Sequence, residues 1–430
     1  MTPNKTRTWL LIGLVIFSVA SGAMGRDIRD MQLFAPAEVS PYGDGPEPAE
    51  GFFFTFDGMF WWIGAPKDQP IGFPNLTRNV YFGPEDSDMV VQTNTHNTGM
   101  LGTDMVEGNR FEVGRVIDRF GWFLSVYDLK TQTSRLTTSE MDVVFVDDEF
   151  GSGLELLEGY FISDPTATPP TAVRRNLPVT FDHVYIENKV EHWSVELNAM
   201  YRTRRRHHGG FLEFFAGARY MEFHEEFNVD ARGHVVGATT EDDDDTTIER
   251  WFFNRETGEW EFGEIDTGGD GLQIRALGDS YWNTRVENNI IGPQLGIRWF
   301  RQHGRWRLSA QGRFFAGFNN QNVSQRGVFG TDLDPSTLIE GRPANFDTTG
   351  YSNDQHALEF SPGAETRFDL HYQFSRAISF KVGWTGLWID GIARPSSMIN
   401  YEVPTMGINM ANNRDTVFVH GLNIGVEVNR

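Results

Sequence analysis

The chain contains no cysteine, which excludes a fold held together by disulfide bonds. It has no run of the ~20 consecutive apolar residues that a membrane helix requires. Basic residues are also few: 37 Lys and Arg stand against 59 Asp and Glu, so the formal net charge is −22. Nucleic-acid-binding domains carry a basic surface. The sequence therefore argues against a disulfide-stapled domain, a helical membrane protein and a nucleic-acid-binding protein.

The two N-terminal segments are expected to serve export. Lys5 and Arg7 precede the apolar stretch Trp9–Val19, and small residues follow at 21–23. This pattern predicts a cleaved signal peptide over residues 1–23. Residues 24–50 are rich in Pro, Gly and acids, and we interpret them as a periplasmic lead-in. Residues 51–430 then form one domain.

Segments with alternating hydrophobicity recur along this domain, and their connectors alternate between long and short. The long gaps are near 64–109, 131–182, 225–283, 319–355 and 391–415, and the short gaps are near 118–121, 203–210, 301–305 and 371–376. Outer-membrane barrels have short periplasmic turns and longer outer loops. We predict an all-β fold, an antiparallel up-and-down transmembrane β-barrel of about 10 strands (range 8–14), in the cell outer membrane.

Charged and apolar residues occupy opposite faces of these strands. Leu308 and Ala310, for example, alternate with Arg307 and Ser309. On the first strand after the first long loop the inner face is ambiguous, because Arg115 shares a parity with Phe111 and Val113. The predicted lumen charges are seven acids, Asp57, Glu196, Glu213, Glu359, Glu365, Asp369 and Glu427, and six bases, Arg219, Arg298, Arg307, Arg313, Arg367 and Lys381. Such a balanced set predicts a narrow, salt-bridged lumen, since barrels of about eight strands are filled by side chains.

Aromatic residues cluster near the predicted strand ends. Two girdles are expected at the membrane interfaces. One comprises Trp122, Tyr201, Trp299, Trp306 and Tyr372 near the short turns, and the other comprises Trp62, Tyr127, Tyr220, Trp282 and Trp388 near the long loops.

The loop at 225–283 carries most of the excess charge, with sixteen acids and four arginines, a net of −12. Its densest run is Glu241, Asp242, Asp243, Asp244 and Asp245. Several carboxylate oxygens could bind Ca²⁺ or Mg²⁺. A solvated acidic loop without a specific ligand is the alternative, because no EF-hand spacing is present.

Two other functions remain open at this point. A secreted soluble β-sandwich binding module would also show alternating strands. An outer-membrane barrel hydrolase could use Asp128, His224, His356 and Asp390, which lie at the predicted outer strand ends. The sequence has no G-x-S-x-G, H-E-x-x-H or phosphate-binding glycine motif. We therefore expect no enzymatic activity and no cofactor.

Short motifs along the mature chain resemble a known family, the putative outer-membrane β-barrel porins numbered seven, of planctomycete and Legionella type. The motifs are Glu50–Phe54, Phe60–Trp62, Glu196–Asn198, Gly217–Tyr220, Gly292–Gly296, Gly383–Gly391 and His420–Gly425. The resemblance implies an exported barrel and no catalytic residues. The expected partners are outer-membrane lipid and the outer-membrane assembly machinery. The final residues, 426–430, lack the terminal aromatic residue common in such barrels, so Phe418 is the expected recognition element.

Overall fold

The computed structural model describes residues 50–71, 77–80, 89–92, 96–146, 161–163, 172–174, 178–204, 210–233, 247–254, 259–266, 278–330, 349–403 and 407–429. Ten strands dominate this part of the chain. They are β1 (Gly51–Ile63), β2 (Met105–Ile117), β3 (Phe120–Leu129), β4 (Pro178–Arg202), β5 (Gly210–Gly233), β6 (Gly278–His303), β7 (Trp306–Gly330), β8 (Thr349–Gln373), β9 (Ile378–Ile392) and β10 (Asp415–Asn429).

The ten strands form a closed barrel. Each strand pairs antiparallel with the next in the chain, and β10 returns to pair with β1, from Phe53 opposite Asn429 to Ile63 opposite Val419. Closure satisfies the backbone of the first and last strands, which would otherwise be open edges. The predicted up-and-down barrel is confirmed. A single closed sheet also excludes the two-sheet sandwich that the sequence left open.

The connectors follow the predicted alternation, but several strands are longer than predicted. β4 to β8 have 24 to 26 residues, more than twice the ~9–11 that cross a membrane. β7, for instance, continues through Asn319, Gln321 and Gln325, which are buried on its inner face. Because these extensions carry many polar residues, they lack a clear hydrophobic alternation. The sequence therefore predicts shorter strands than the structure shows.

A further strand extends the barrel wall outside the ten. This outer strand (Gln132–Val146) pairs antiparallel with the part of β4 that projects beyond β3, and the short strand Glu402–Val403 pairs parallel with it. Shorter elements lie in the connectors: strands Pro70–Ile71, Thr77–Val80, Met89–Gln92, His96–Asn97, Phe161–Ser163, Ala172–Arg174, Thr247–Asn254, Glu259–Asp266, Ile399–Asn400 and Gly407–Ile408, helix α1 (Pro395–Met398), and 3-10 turns Thr98–Met100 and Met410–Asn412.

The outer face of the barrel is apolar and exposed. Leu197, Leu295, Phe318, Leu358 and Ile424 are among many large apolar residues that face outward without cover. A contiguous apolar surface of this extent suits contact with lipid rather than water. Within the described part of the chain, no helix is both long enough and apolar enough to cross a membrane.

Eight of the ten residues predicted to form the girdles lie on the outer face. Tyr127 and Trp282 are the exceptions, because both are buried inside the barrel and are 3% and 1% exposed. Tyr127 shares the inward parity of Ser125 and bonds to His192, and Trp282 packs against Tyr401 of the last long connector. Residue type alone cannot distinguish an interfacial aromatic side chain from one that fills a lumen.

Candidate functional site in the barrel lumen

The middle of the lumen is occupied by a buried cluster of ion pairs. Glu365 on β8 accepts a hydrogen bond from Nη1 of Arg219 on β5 at 2.6 Å, and both side chains are 1% exposed. The other carboxylate oxygen of Glu365 accepts from Arg367 on the same strand. The Arg219 Nε donates to Ser194 and its Nη2 to the Tyr127 hydroxyl. This carboxylate is therefore held by two guanidinium groups.

A second carboxylate joins strands on opposite sides of the barrel. Glu196 on β4 accepts hydrogen bonds from Arg313 on β7 and from Gln294 on β6, the latter at 2.7 Å. Its Oε1 is also 3.9 Å from Nη2 of Arg367 on β8. Four strand-to-strand steps separate β4 from β8 around a ring of ten. Side chains from distant strands thus meet across the lumen.

A third carboxylate closes the same layer from β2. Glu112 lies 3.5 Å from Arg298 on β6 and 3.9 Å from Arg367 on β8, measured between oxygen and nitrogen atoms. Each of these strands is again four steps from β2. The cluster therefore connects β2, β4, β6 and β8, which are spread around the whole wall.

The remaining predicted lumen charges form pairs near this layer or toward the short turns. Asp57 accepts from Lys381 at 2.7 Å, and Arg307 donates to Glu427 at 2.6 Å. Glu213 pairs with Arg202 at 2.7 Å and with Arg298 at 3.6 Å. Asp369 is 3.5 Å from the Ser309 hydroxyl. These pairs leave the inner face close to electrically neutral.

Glu359 occupies a different place from the other twelve predicted charges. It lies toward the outer end of β8, where it is 3.5 Å from Arg414 and 3.3 Å from the Asn413 amide. Both partners belong to the connector between β9 and β10. Glu359 therefore contacts an outer connector and takes no part in the central cluster.

Several inward charges were missed in the sequence. Arg110 and Glu112 on β2 are 2% and 7% exposed, whereas Arg115 faces outward, with its guanidinium over the Phe52 ring at 4.9 Å. The sequence was ambiguous because charges occur on both faces of β2. The register of β2 against β1 shows which face points inward, since Arg110 lies opposite Asp57 and within 4.0 Å of its carboxylate.

Apolar side chains fill the lumen on both sides of the charged layer. Toward the short turns, Val116, Phe123, Met200 and Phe215 form one cluster. Toward the long connectors, a larger cluster includes Trp61, Phe223, Phe315, Leu387 and Val419. Several rings lie over glycines: an added Cβ at Gly296 would be 2.1 Å from the Phe215 ring, and one at Gly363 would be 2.1 Å from the Phe315 ring. Large and small residues therefore interlock inside the barrel.

The connector between β9 and β10 folds into the outer mouth. We call its residues 391–403 and 407–413 the inward segment, because Gly391 to Ile399 are all buried. Arg394 donates from Nε and Nη2 to the two carboxylate oxygens of Glu225 at 2.8 and 2.9 Å, and both residues are at most 1% exposed. Neither residue was predicted, since the pairing joins positions 169 apart in sequence.

Amide side chains on the barrel wall hold the backbone of the inward segment. Asn288 donates to the Ala393 carbonyl and accepts from its N–H, both at 2.9 Å. Asn319 donates to the Gly391 carbonyl at 3.0 Å, and Gln321 donates to the Asn413 carbonyl at 3.1 Å. Gly391 has a φ of 70°, a left-handed conformation that favours glycine, where the chain turns into the mouth.

The outer strand is attached by ion pairs outside the membrane-spanning part. Arg135 donates to Glu187 on β4 at 2.9 Å, and Thr131 just before the strand donates to Glu191 at 2.8 Å. Hydrogen bonding from Lys189, followed by Arg135, lowers the pKa of the Glu187 carboxyl below its usual value. These side-chain contacts add to the backbone pairing of the outer strand with β4.

The residues considered for hydrolysis lie on four different strands. Asp128, His224, His356 and Asp390 lie on β3, β5, β8 and β9. His224 is 3.6 Å from Glu226, His356 contacts Asn322, and the Asp390 carboxylate accepts from Thr416. The cation-binding candidates at 241–245 lie outside the described residues. Elsewhere in the described chain, no group of three or more His, Asp or Glu residues could hold a metal ion.

Comparison with known proteins gives distant structural neighbours. No curated protein matches the chain. Among solved structures, the outer membrane protease OmpT from Escherichia coli is 7% identical, with 89% of this chain and 97% of that chain covered and a TM-score of 0.36. The Ralstonia pickettii toluene transporter TbuX is 9% identical, with 93% and 100% covered and a TM-score of 0.21. Scores this low carry no argument about function.

The family comparison covers the C-terminal part of the barrel. Residues 273–429 match the family described as "Putative beta barrel porin-7 (BBP7)". This stretch includes β6 to β10 and nine of the predicted lumen charges, from Arg298 to Glu427. Over this part of the chain the match confirms the family resemblance indicated by the sequence motifs, and the closed ten-stranded fold is that of a porin-like outer-membrane β-barrel.

Proposed function

We propose that this barrel is a closed, structural surface protein of the outer membrane and does not act as a general diffusion pore. The observation that carries the proposal is the direct contact of side chains across the lumen, from Glu196 on β4 to Arg313 on β7 and Arg367 on β8. A barrel of ten strands is close to the filled eight-stranded size and far from the 16–18 strands of open porins. Only water and small ions would find a path between such side chains.

The rest of the proposal concerns export and the outer surface. Residues 1–23 act as a cleaved signal peptide, and the long connectors face outward. The acidic stretch 241–245 meets divalent cations at the cell surface or remains solvated. Outer-membrane lipid and the assembly machinery are the partners. We also propose that the protein is not an enzyme, since His224, His356 and Asp390 each contact a different neighbour on a different strand.

Conductance in planar bilayers tests the closed lumen. We expect wild-type protein to give no steps comparable to those of a general porin inserted under the same conditions. The variant E196A/R313A removes one contact across the lumen and should raise conductance above the wild-type level. The matched control E107A/K130A removes an exposed outer pair whose atoms are 2.6 Å apart, and it should change nothing. Porin-sized steps from wild-type protein would overturn the proposal.

A further inference from the structure

Arginines surround the barrel at the end that carries the short turns. Arg115, Arg301 and Arg305 are exposed on or near β2, β6 and the β6–β7 turn, and Arg204 is exposed after β4. Arg119 in the β2–β3 turn is half-buried. Among the described residues, no carboxylate comes within ion-pair distance of these five side chains. Asp118 and Glu50 are the exposed acids nearby, so this end is basic although the whole chain has a charge of −22.

The same end carries exposed aromatic rings that point away from the lumen. Phe120 is 67% exposed, and Trp306 is 51% exposed. Phe120 lies beside Tyr201 with ring centroids 5.3 Å apart, and Trp306 lies beside Tyr372 at 4.9 Å. Aromatic rings at such positions sit at the level of lipid headgroups. The arginines are therefore placed at the height where phosphate groups lie.

We propose that this arginine belt, Arg115, Arg119, Arg204, Arg301 and Arg305, binds anionic phospholipid headgroups of the inner leaflet. The proposal rests on the proposed function, in which the short turns face the periplasm. A guanidinium group forms charge-assisted, bidentate hydrogen bonds with phosphate oxygens. Arg301 faces the same side as Trp299, so its charge lies next to an interfacial ring. The lipid would occupy the outer perimeter of the barrel, while the lumen stays closed.

Lipid enrichment around the purified barrel tests the belt. Wild-type protein is placed in nanodiscs with equal amounts of phosphatidylglycerol and phosphatidylcholine, and the lipids retained after mild detergent extraction are counted by mass spectrometry. We expect phosphatidylglycerol to be enriched. In the variant R115Q/R301Q/R305Q the enrichment of phosphatidylglycerol should fall at least about fivefold. This is the factor expected for the loss of one arginine at an anionic surface. Replacing the same residues by lysine should retain most of the enrichment.

Matched controls separate the belt from a general charge effect. The variant R135Q/R326Q/R414Q removes three exposed arginines at the opposite end and should keep the wild-type preference. Raising salt from about 50 to about 500 mM should weaken enrichment by screening. The proposal fails if wild-type protein shows no preference, or if the two glutamine variants behave alike. It also fails if inorganic phosphate removes the lipid better than chloride of equal ionic strength, because the ligand would then be free phosphate.

Folding is monitored in the same samples by the migration of unboiled protein on gels. If the triple variant does not fold, the single turn variant R305Q gives the result, with an expected loss of about fivefold. Because the nanodisc bilayer is symmetric, enrichment does not depend on which end faces the periplasm. A barrel that conducts like a porin would overturn the proposed function and leave the lipid result intact.

Discussion

The most consequential residues are charges buried in the lumen. Glu365 is held between Arg219 and Arg367, and Glu196 between Arg313 and Arg367. Removing two charges from water is costly, and their attraction offsets this cost only when the geometry is good. Removing one member is worse, because it leaves its partner charged and buried. These residues therefore fix which strands face one another more than they add to stability.

Substituting Arg219 by glutamine should destabilise the barrel by about 3–5 kcal/mol, since Glu365 would lose its ion-pair partner from another strand. The midpoint of urea unfolding in detergent measures this change. Lys130→Gln serves as the control, because its pair with Glu107 is exposed and should contribute little. Equal stability of the two variants would contradict a buried, tightly coupled cluster.

Glycines in the lumen leave space for aromatic side chains from neighbouring strands. Gly363→Ala should force the Phe315 ring to move and cost about 1–3 kcal/mol, as overpacking does. Gly312→Ala is the matched control on the neighbouring strand, because an added Cβ there has no atom within 4 Å. Thermal unfolding followed by circular dichroism compares them. Equal stability of the two variants would show that packing of the Phe315 ring does not require glycine at position 363.

At the scale of elements, the inward segment lies in the mouth without belonging to the barrel wall. It is attached by Arg394 to Glu225 and by amide side chains of β6 and β7. Ala393 and Met398 also pack against apolar residues of the wall. A connector held in this way can be released while the strand ladder stays intact.

Glu225→Gln should release this segment. The substitution leaves Arg394 with a buried charge and no carboxylate, and moving the segment into water relieves that cost. We expect faster hydrogen exchange in the inward segment, with little change in β5. Arg414→Gln is the control, since its contact with Glu359 is largely exposed. Unchanged exchange in the Glu225 variant would mean that the amide contacts and the apolar packing hold the segment without this ion pair.

At the scale of the whole molecule, every strand depends on closure. The β10–β1 register joins the two ends of the domain over eleven residue pairs, so no strand has an open edge in the ring. A closed ladder resists detergent because backbone groups cannot be exposed one strand at a time.

We therefore expect the folded protein to migrate faster on a detergent gel before boiling than after it. The unboiled barrel stays compact, and boiling opens it. Protein denatured in urea and loaded without refolding provides the comparison and should migrate as the boiled form. A sample extracted from outer membranes that shows no heat shift would contradict a stable closed barrel.

Sequence alone determined the architecture of this protein. Alternation along strands such as Trp306–Phe314, and the order of long and short connectors, predicted an antiparallel barrel of about ten strands, because these features follow from the local geometry of strands and turns. The thirteen lumen charges were predicted for the same reason, since parity assigns a face to each residue.

Only the tertiary structure decided which of these charges meet. The pairing of Arg219 with Glu365 and of Arg394 with Glu225 depends on strand register and barrel curvature across 146 and 169 residues. Tyr127 and Trp282 are a different case, because strand parity already groups Tyr127 with Ser125 and Trp282 with Arg298 on the inner face, so the sequence contained the signal. Local periodicity carries no information about distance across a lumen, so the sequence predicted the wall of the barrel, and folding in three dimensions determined how its interior is filled.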